Sequence, residues 1–119
     1  MTGKILPLLL AALFASSCTS AARKKDRADA EAAVAAAGAA LAVARQAGGE
    51  VYDASRIRMV ETDLQRAREK LKAGDWEEAR RYAHLADGVA DDIRNDAEAA
   101  RKRDSARKKT RIPVPRKNP

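Results

Sequence analysis

The sequence predicts an all-α fold: an antiparallel helical hairpin over about 53–73 and 75–109, with an Ala-rich first helix over about 27–47 completing a three-helix arrangement. Three observations lead there. From Cys18 onward, 25 of 102 residues are alanine, the strongest helix former, and no proline intervenes before Pro113. Past Gly3, glycine is confined to positions 38, 48, 49, 74 and 88, which leaves long uninterrupted segments. Larger apolar residues recur at intervals of three and four, the helical period, and no alternating strand pattern is present.

The chain opens with a charged start at Met1–Lys4, an apolar run at Ile5–Ala15 and small residues at Ser16–Ser20, the three regions of a secretion signal. The apolar run spans eleven residues, whereas a bilayer-spanning helix needs roughly twenty. A removable signal therefore fits better than a permanent span. Ala15-Ser16-Ser17-Cys18 resembles the lipobox of bacterial lipoproteins, in which a cysteine preceded by small residues is cut free and acylated, although Ala15 stands where that family usually has Leu. The expected organisation is a lipoprotein-type signal peptide over 1–17, a tether over 18–26, a helical domain over 27–100 and a basic extension over 101–119. Two alternatives stay open: ordinary cleavage after Ala22, following the small residues Ser20 and Ala22, and an uncleaved anchor. Acylation would make the Cys18 sulfur a thioether, and no second cysteine exists to pair with it, so the fold stands on packing without disulfides. Thr19 follows the cysteine, where Asp is the usual inner-membrane retention signal in enteric bacteria, so the expected address is the outer membrane facing the periplasm.

The first helix holds twelve alanines between Ala28 and Ala47, with Val34, Leu41 and Val43 its only larger apolar residues, and it stops at Gly48-Gly49. Such a helix approaches a neighbour closely but buries little area per turn. It is expected to lie across the hairpin. In the second helix, Ile57, Val60, Leu64, Ala67 and Leu71 step by three, four, three and four, which places them on one stripe. The third continues the rule with Trp76, Ala79, Ala83, Ala86, Ala90, Ile93 and Ala97, with Tyr82, Leu85 and Val89 as an adjoining stripe. Between them, Gly74 suits a left-handed C-terminal position, Asp75 suits an N-cap, and Glu78 three residues on suits a capping box.

Charge is segregated along the chain. Residues 101–119 carry nine Lys or Arg and one acid, a net of +8, while 18–100 carry 14 bases and 16 acids, a net of −2. Arg101, Lys102, Arg103, Arg107, Lys108, Lys109 and Arg111 are the candidate contacts for an anionic envelope polymer or lipid headgroups, against the simpler reading of a solvated helix end. Nucleic acid is not expected as a partner, because the aromatic residues that stack on bases are not interleaved with these cations.

No catalytic constellation is legible. His84 is the sole histidine, and Asp87 and Asp91 follow it at helical spacing, but a solvated polar face explains them better than a metal site does. The acidic run Asp91, Asp92, Asn95, Asp96 and Glu98 lacks a loop of convergent oxygens. No metal, cofactor or enzymatic activity is therefore expected. Trp76, Tyr52 and Tyr82 are expected to pack against the core.

The Ala-rich helix, Tyr52, Leu64 with Ala67, and Gly74-Asp75-Trp76-Glu77-Glu78-Ala79-Arg80 followed by Tyr82-Ala83 and Leu85-Ala86 form a recognisable whole. Over roughly 28–100 it resembles a family of small bacterial envelope lipoproteins known only as a domain of unknown function, number forty-three ninety-eight. That family commonly has Pro two residues after the tyrosine; Ala54 stands there, so the second helix is expected to start less sharply. The turn is also similar to half of a tetratricopeptide repeat, of which a solenoid needs three or more. The resemblance implies a helical, membrane-tethered envelope protein and supplies no activity to carry over.

The expected function is thus that of a non-enzymatic structural or adaptor element, tethered through Cys18. Only seventeen residues after Cys18 are larger aliphatics, Met or aromatics, so a protein partner or self-association would add buried area that one chain lacks. A polyanion-binding module built on the basic tail is the alternative.

Overall fold

A computed structural model of the chain describes residues 6–111, with side chains from residue 21 onward. Its described residues form four helices and no strand: α1 Leu6–Gln46, the single turn α2 Gly49–Tyr52, α3 Ala54–Lys72 and α4 Trp76–Thr110. The predicted all-α hairpin is present, with its helix ends within two residues of those expected. The first helix differs most. It begins at Leu6 rather than near residue 27, so the expected tether at 18–26 is continuous helix.

Successive long helices run antiparallel, which makes α1 and α4 parallel neighbours. Arg27 of α1 lies level with Trp76 at the start of α4, and Ala47 at the end of α1 lies level with Ala97. Helix α1 therefore runs lengthwise along the hairpin, not across it as expected. The reason is its own buried stripe: Ala30, Val34, Ala37, Leu41 and Ala44 step by four, three, four and three, a heptad pattern that keeps one face against a neighbour for its whole length.

The core is narrow. Ile57, Val60, Leu64 and Ala67 of α3 cluster with Ala83, Ala86, Ala90 and Ile93 of α4, and Ala79 and Ala97 are buried further along the same α4 stripe, as the spacing predicts. Leu71, Tyr82 and Val89 are half-buried against this cluster. Leu85, placed by its spacing beside Tyr82 and Val89, is instead 50% exposed. With three helices in the bundle, that flank of α4 has no neighbour to cover it.

Two turns close the bundle, and each depends on glycine. After α3, Gly74 adopts φ +78°, its N–H donates to the Leu71 carbonyl at 3.2 Å, and the Asp75 N–H donates to the Lys70 carbonyl at 3.0 Å. This pair of bonds is a Schellman motif. It also halves the expected capping box. Asp75 Oδ1 accepts from the Glu78 N–H at 3.3 Å, but the Asp75 N–H is already used, and Glu78 turns to Arg81 at 2.7 Å instead.

At the other end Gly48 adopts φ +94° and Gly49 is buried at the start of α2. A Cβ on Gly49 would sit 2.7 Å from the Ala44 carbonyl oxygen and 2.8 Å from Ile93 Cγ2. Three helices converge on that missing side chain. Asp53 then caps α3 sharply, its Oδ1 accepting the Arg56 N–H at 3.1 Å. The diffuse start expected from Ala54 in place of Pro does not occur, because this side-chain cap does the work of pre-set geometry.

Candidate functional site

Because α1 and α4 are parallel but staggered, each leaves the bundle at an opposite end. Below the Gly74 turn, α1 extends toward residue 6; above the Gly48 turn, α4 extends to Thr110. Cys18 falls on the first extension, in the part of α1 whose side chains lie outside the description. The basic candidates fall on the second. At 1.5 Å per residue, position 18 and position 108 stand about 60 Å apart along the rod.

The basic extension is built from charge alone. Arg101, Lys102, Arg103, Arg107, Lys108, Lys109 and Arg111 are all exposed. The pairs 101/108 and 102/109, seven residues apart, and 103/107, four apart, each share a side of the helix, and together they surround it. Asp104 is the one acid among them. A shallow concavity of about 580 Å³ runs along one side, lined by Glu98, Arg101, Lys102, Ser105, Ala106 and Lys109. Helix geometry holds to the end: the Thr110 hydroxyl donates to the Ala106 carbonyl at 3.1 Å, and the Arg111 N–H donates to the Arg107 carbonyl at 3.2 Å. Residues 112–119, with Ile112, Val114 and the last two cations, lie outside the described residues.

What this arrangement can do follows from what it lacks. An interfacial membrane helix needs an apolar face to insert, and over 101–111 only Ala106 is apolar. A uniformly cationic helix binds anions by charge, with strong salt dependence.

The other sequence candidates are dispersed. His84 and Asp91 are exposed on α4 and Asp87 is half-buried. The acidic run is divided among arginines. Asp96 accepts from Arg56 Nη2 at 2.7 Å, while Asp91 pairs with Arg94 at 3.8 Å. Arg56 also reaches Asp53 at 2.6 Å, so one guanidinium joins the start of α3 to α4. Its pKa is raised further by the hydrogen bonds to Asp96 and Asp53, and the Asp53 carboxyl is held below its ordinary value by the Arg56 side chain and backbone N–H. Arg45 links α1 to α3 through Glu61 and to α2 through Glu50.

Trp76 is not core as expected. It is half-buried beside the lower turn, with the Arg27 guanidinium 5.9 Å from its ring centroid. Tyr82 does pack against the core cluster, as expected, with Arg81 and Arg66 over its ring at 5.2 and 5.8 Å, whereas Tyr52 is 46% exposed. Ala at most buried positions leaves the aromatic rings no deep pocket, so arginine stems cover them instead. The grouping of Arg23, Lys24 and Arg27 with Trp76 was missed in the sequence, although the basic run directly after the apolar segment was a readable signal.

No family model, curated protein or solved structure matches the chain. Among the described residues, no helix is long and apolar enough to cross a membrane.

Proposed function

We propose that the chain is a non-enzymatic lipoprotein of the bacterial cell envelope, tethered through acylated Cys18, whose helical rod acts as a structural adaptor. One observation carries the reading: the end bearing residue 18 and the cationic end point in opposite directions along a continuous rod. A tether and a contact element at opposite ends of a stiff spacer is the arrangement an adaptor needs. The lipobox-like Ala15-Ser16-Ser17-Cys18 and the resemblance to the envelope lipoprotein family support the address, with the periplasmic face of the outer membrane as the expected layer. The thin core supports a partner, since ten of its sixteen buried apolar residues are alanine and each contributes little burial.

Metabolic palmitate labelling tests the tether directly. Wild-type protein incorporates label and Cys18→Ser does not; an unlabelled wild-type chain recovered with its N-terminal segment intact contradicts the proposal. Crosslinking in intact cells tests the adaptor role, for which a specific protein adduct or a dimer is expected.

A second reading, polyanion binding by the tail, is favoured by the cations surrounding the helix over 101–111. The stagger narrows its target. With the rod upright on the membrane, a tail about 60 Å from the tether stands off the bilayer that holds Cys18, so an anionic envelope polymer fits better than that bilayer's own headgroups. Deleting 105–119 should abolish a salt-sensitive pulldown on such a polymer and leave protein capture intact.

A further inference from the structure

The lower end of the bundle carries a concavity of about 550 Å³ whose walls are Arg23, Lys24, Arg27, Gly74 and Trp76. Three cations and one aromatic ring line it, with no acid. Of the acids nearby, Asp75 caps the Glu78 N–H, Glu78 is held by Arg81, and Glu31, one turn further along α1, accepts from Arg27 Nε at 2.8 Å. Gly74 contributes no side chain, which leaves the Trp76 ring lying against the turn.

This end is also where α1 leaves the bundle toward residue 18. At 1.5 Å per residue, Arg23 lies about 8 Å and Arg27 about 14 Å above that position. The headgroup layer of a bilayer is roughly 5–7 Å deep on each side. With acyl chains on Cys18 in the hydrocarbon, the Arg23 and Lys24 side chains reach headgroup depth, and the backbone at Arg27 and Trp76 stands about 7 Å above that layer, a gap spanned by their long side chains, which slant toward the helix N-terminus. Tryptophan prefers this interfacial zone because its ring is apolar and its N–H is polar.

We propose that this concavity is a membrane foot: Arg23, Lys24 and Arg27 take the phosphates of anionic phospholipid headgroups, and Trp76 rests on the same surface. The foot rests on the anchoring reading and adds to it an orientation. Acyl chains alone hold the protein but let the rod lean freely; a second contact beside the tether sets it upright and directs the basic tail away from the bilayer. Each cation at an anionic surface strengthens the contact roughly fivefold.

Trp76 is the only tryptophan in the chain, so its emission reports this site without substitution. The test uses the full acylated protein reconstituted in vesicles containing a lipid with a nitroxide on its headgroup. Emission should be quenched in vesicles rich in phosphatidylglycerol and recover in phosphatidylcholine vesicles that carry the same nitroxide lipid. It should also recover as salt approaches 1 M, where the screening length falls to about 3 Å. The exposed triple variant Arg23→Gln, Lys24→Gln, Arg27→Gln should lose the quenching, and Arg23→Lys with Arg27→Lys should keep it. Removing the same charge at the far end, with Arg103→Gln, Lys108→Gln and Lys109→Gln, should leave the quenching unchanged. Inorganic phosphate at matched ionic strength should not relieve it; relief would mean that the site takes a free anion and would overturn the proposal. Vesicle flotation of the same samples separates two failures. Protein that floats with Trp76 unquenched in anionic vesicles overturns the foot and leaves the anchor standing. Protein that does not float overturns the anchor, and the foot with it.

Discussion

Helix α4 is two helices in physical terms. Its first part, from Trp76 to Ala97, buries an alanine or isoleucine every three or four residues against α1 and α3; its last part, from Glu98 to Thr110, has no fully buried residue and only Ala100 half-buried. Both are helical, but for different reasons. The lower part is held by packing, the upper by intrinsic propensity and by continuing a helix already nucleated. The contrast teaches where this protein is sensitive: substitutions in the first part change the fold, and substitutions in the second change only what the fold presents.

The sharpest way to expose that contrast is Ile93→Ala. Ile93 is the largest fully buried side chain in the core, and its truncation among alanines leaves a cavity that costs about 2–5 kcal/mol. Urea denaturation followed by circular dichroism should show the unfolding free energy lowered by that amount, as a lower midpoint at unchanged slope. Gly49→Ala should follow at about 1–3 kcal/mol, because its Cβ would press on the Ala44 carbonyl oxygen, which is part of a helix and moves little. Gly88→Ala should act in the opposite direction. Nothing lies within 4 Å of a Cβ at this mid-helix glycine, so the exchange should stabilise by up to about 1 kcal/mol through helix propensity.

A smaller effect comes from pH. Asp53 has a folded pKa below its ordinary value, owing first to the Arg56 side chain. Such a group binds fewer protons folded than unfolded, so its contribution is full above the ordinary carboxylate range and is lost as pH falls through the folded value. Thermal melts should therefore weaken on acidification, and Asp53→Asn, which keeps a capping oxygen, should show less of this dependence. The least effect on stability belongs to the upper part of α4. Deleting 105–119 should leave the melting transition of the bundle in place while abolishing polyanion binding; a lowered transition would mean that the overhang packs after all.

The hairpin was legible because its stripes stand out: Ile57, Val60, Leu64 and Ile93 mark a period that polar neighbours do not share. The stripe of α1 was not, since alanine occupies every face of that helix and hides which alanines are buried. Lengthwise packing of α1 therefore had to be seen, and with it the opposed ends that give the tail its direction. The turn at Gly74 was readable from local rules, except that the Schellman bond uses the N–H a full capping box needs. Gly49 read as a stop signal alone, because the side chains that forbid a Cβ come from Ile57 and Ile93, distant in sequence. The basic tail was plain as a charge run, while the grouping of Trp76 with Arg27 joins residues of different helices and follows no local pattern.

The central proposal is that acylated Cys18 tethers the chain to a bilayer and that the rod holds the cationic tail away from it. Relaxation of a nitroxide by a nickel-chelating lipid headgroup measures this most directly. In acylated protein, where Cys18 is a thioether, a Lys24→Cys or Lys108→Cys substitution supplies the only thiol for the label. The label at position 24 should relax strongly in nickel-bearing vesicles, and the label at 108, about 60 Å from the tether, should relax as it does without nickel. Equal enhancement at both positions would contradict the account.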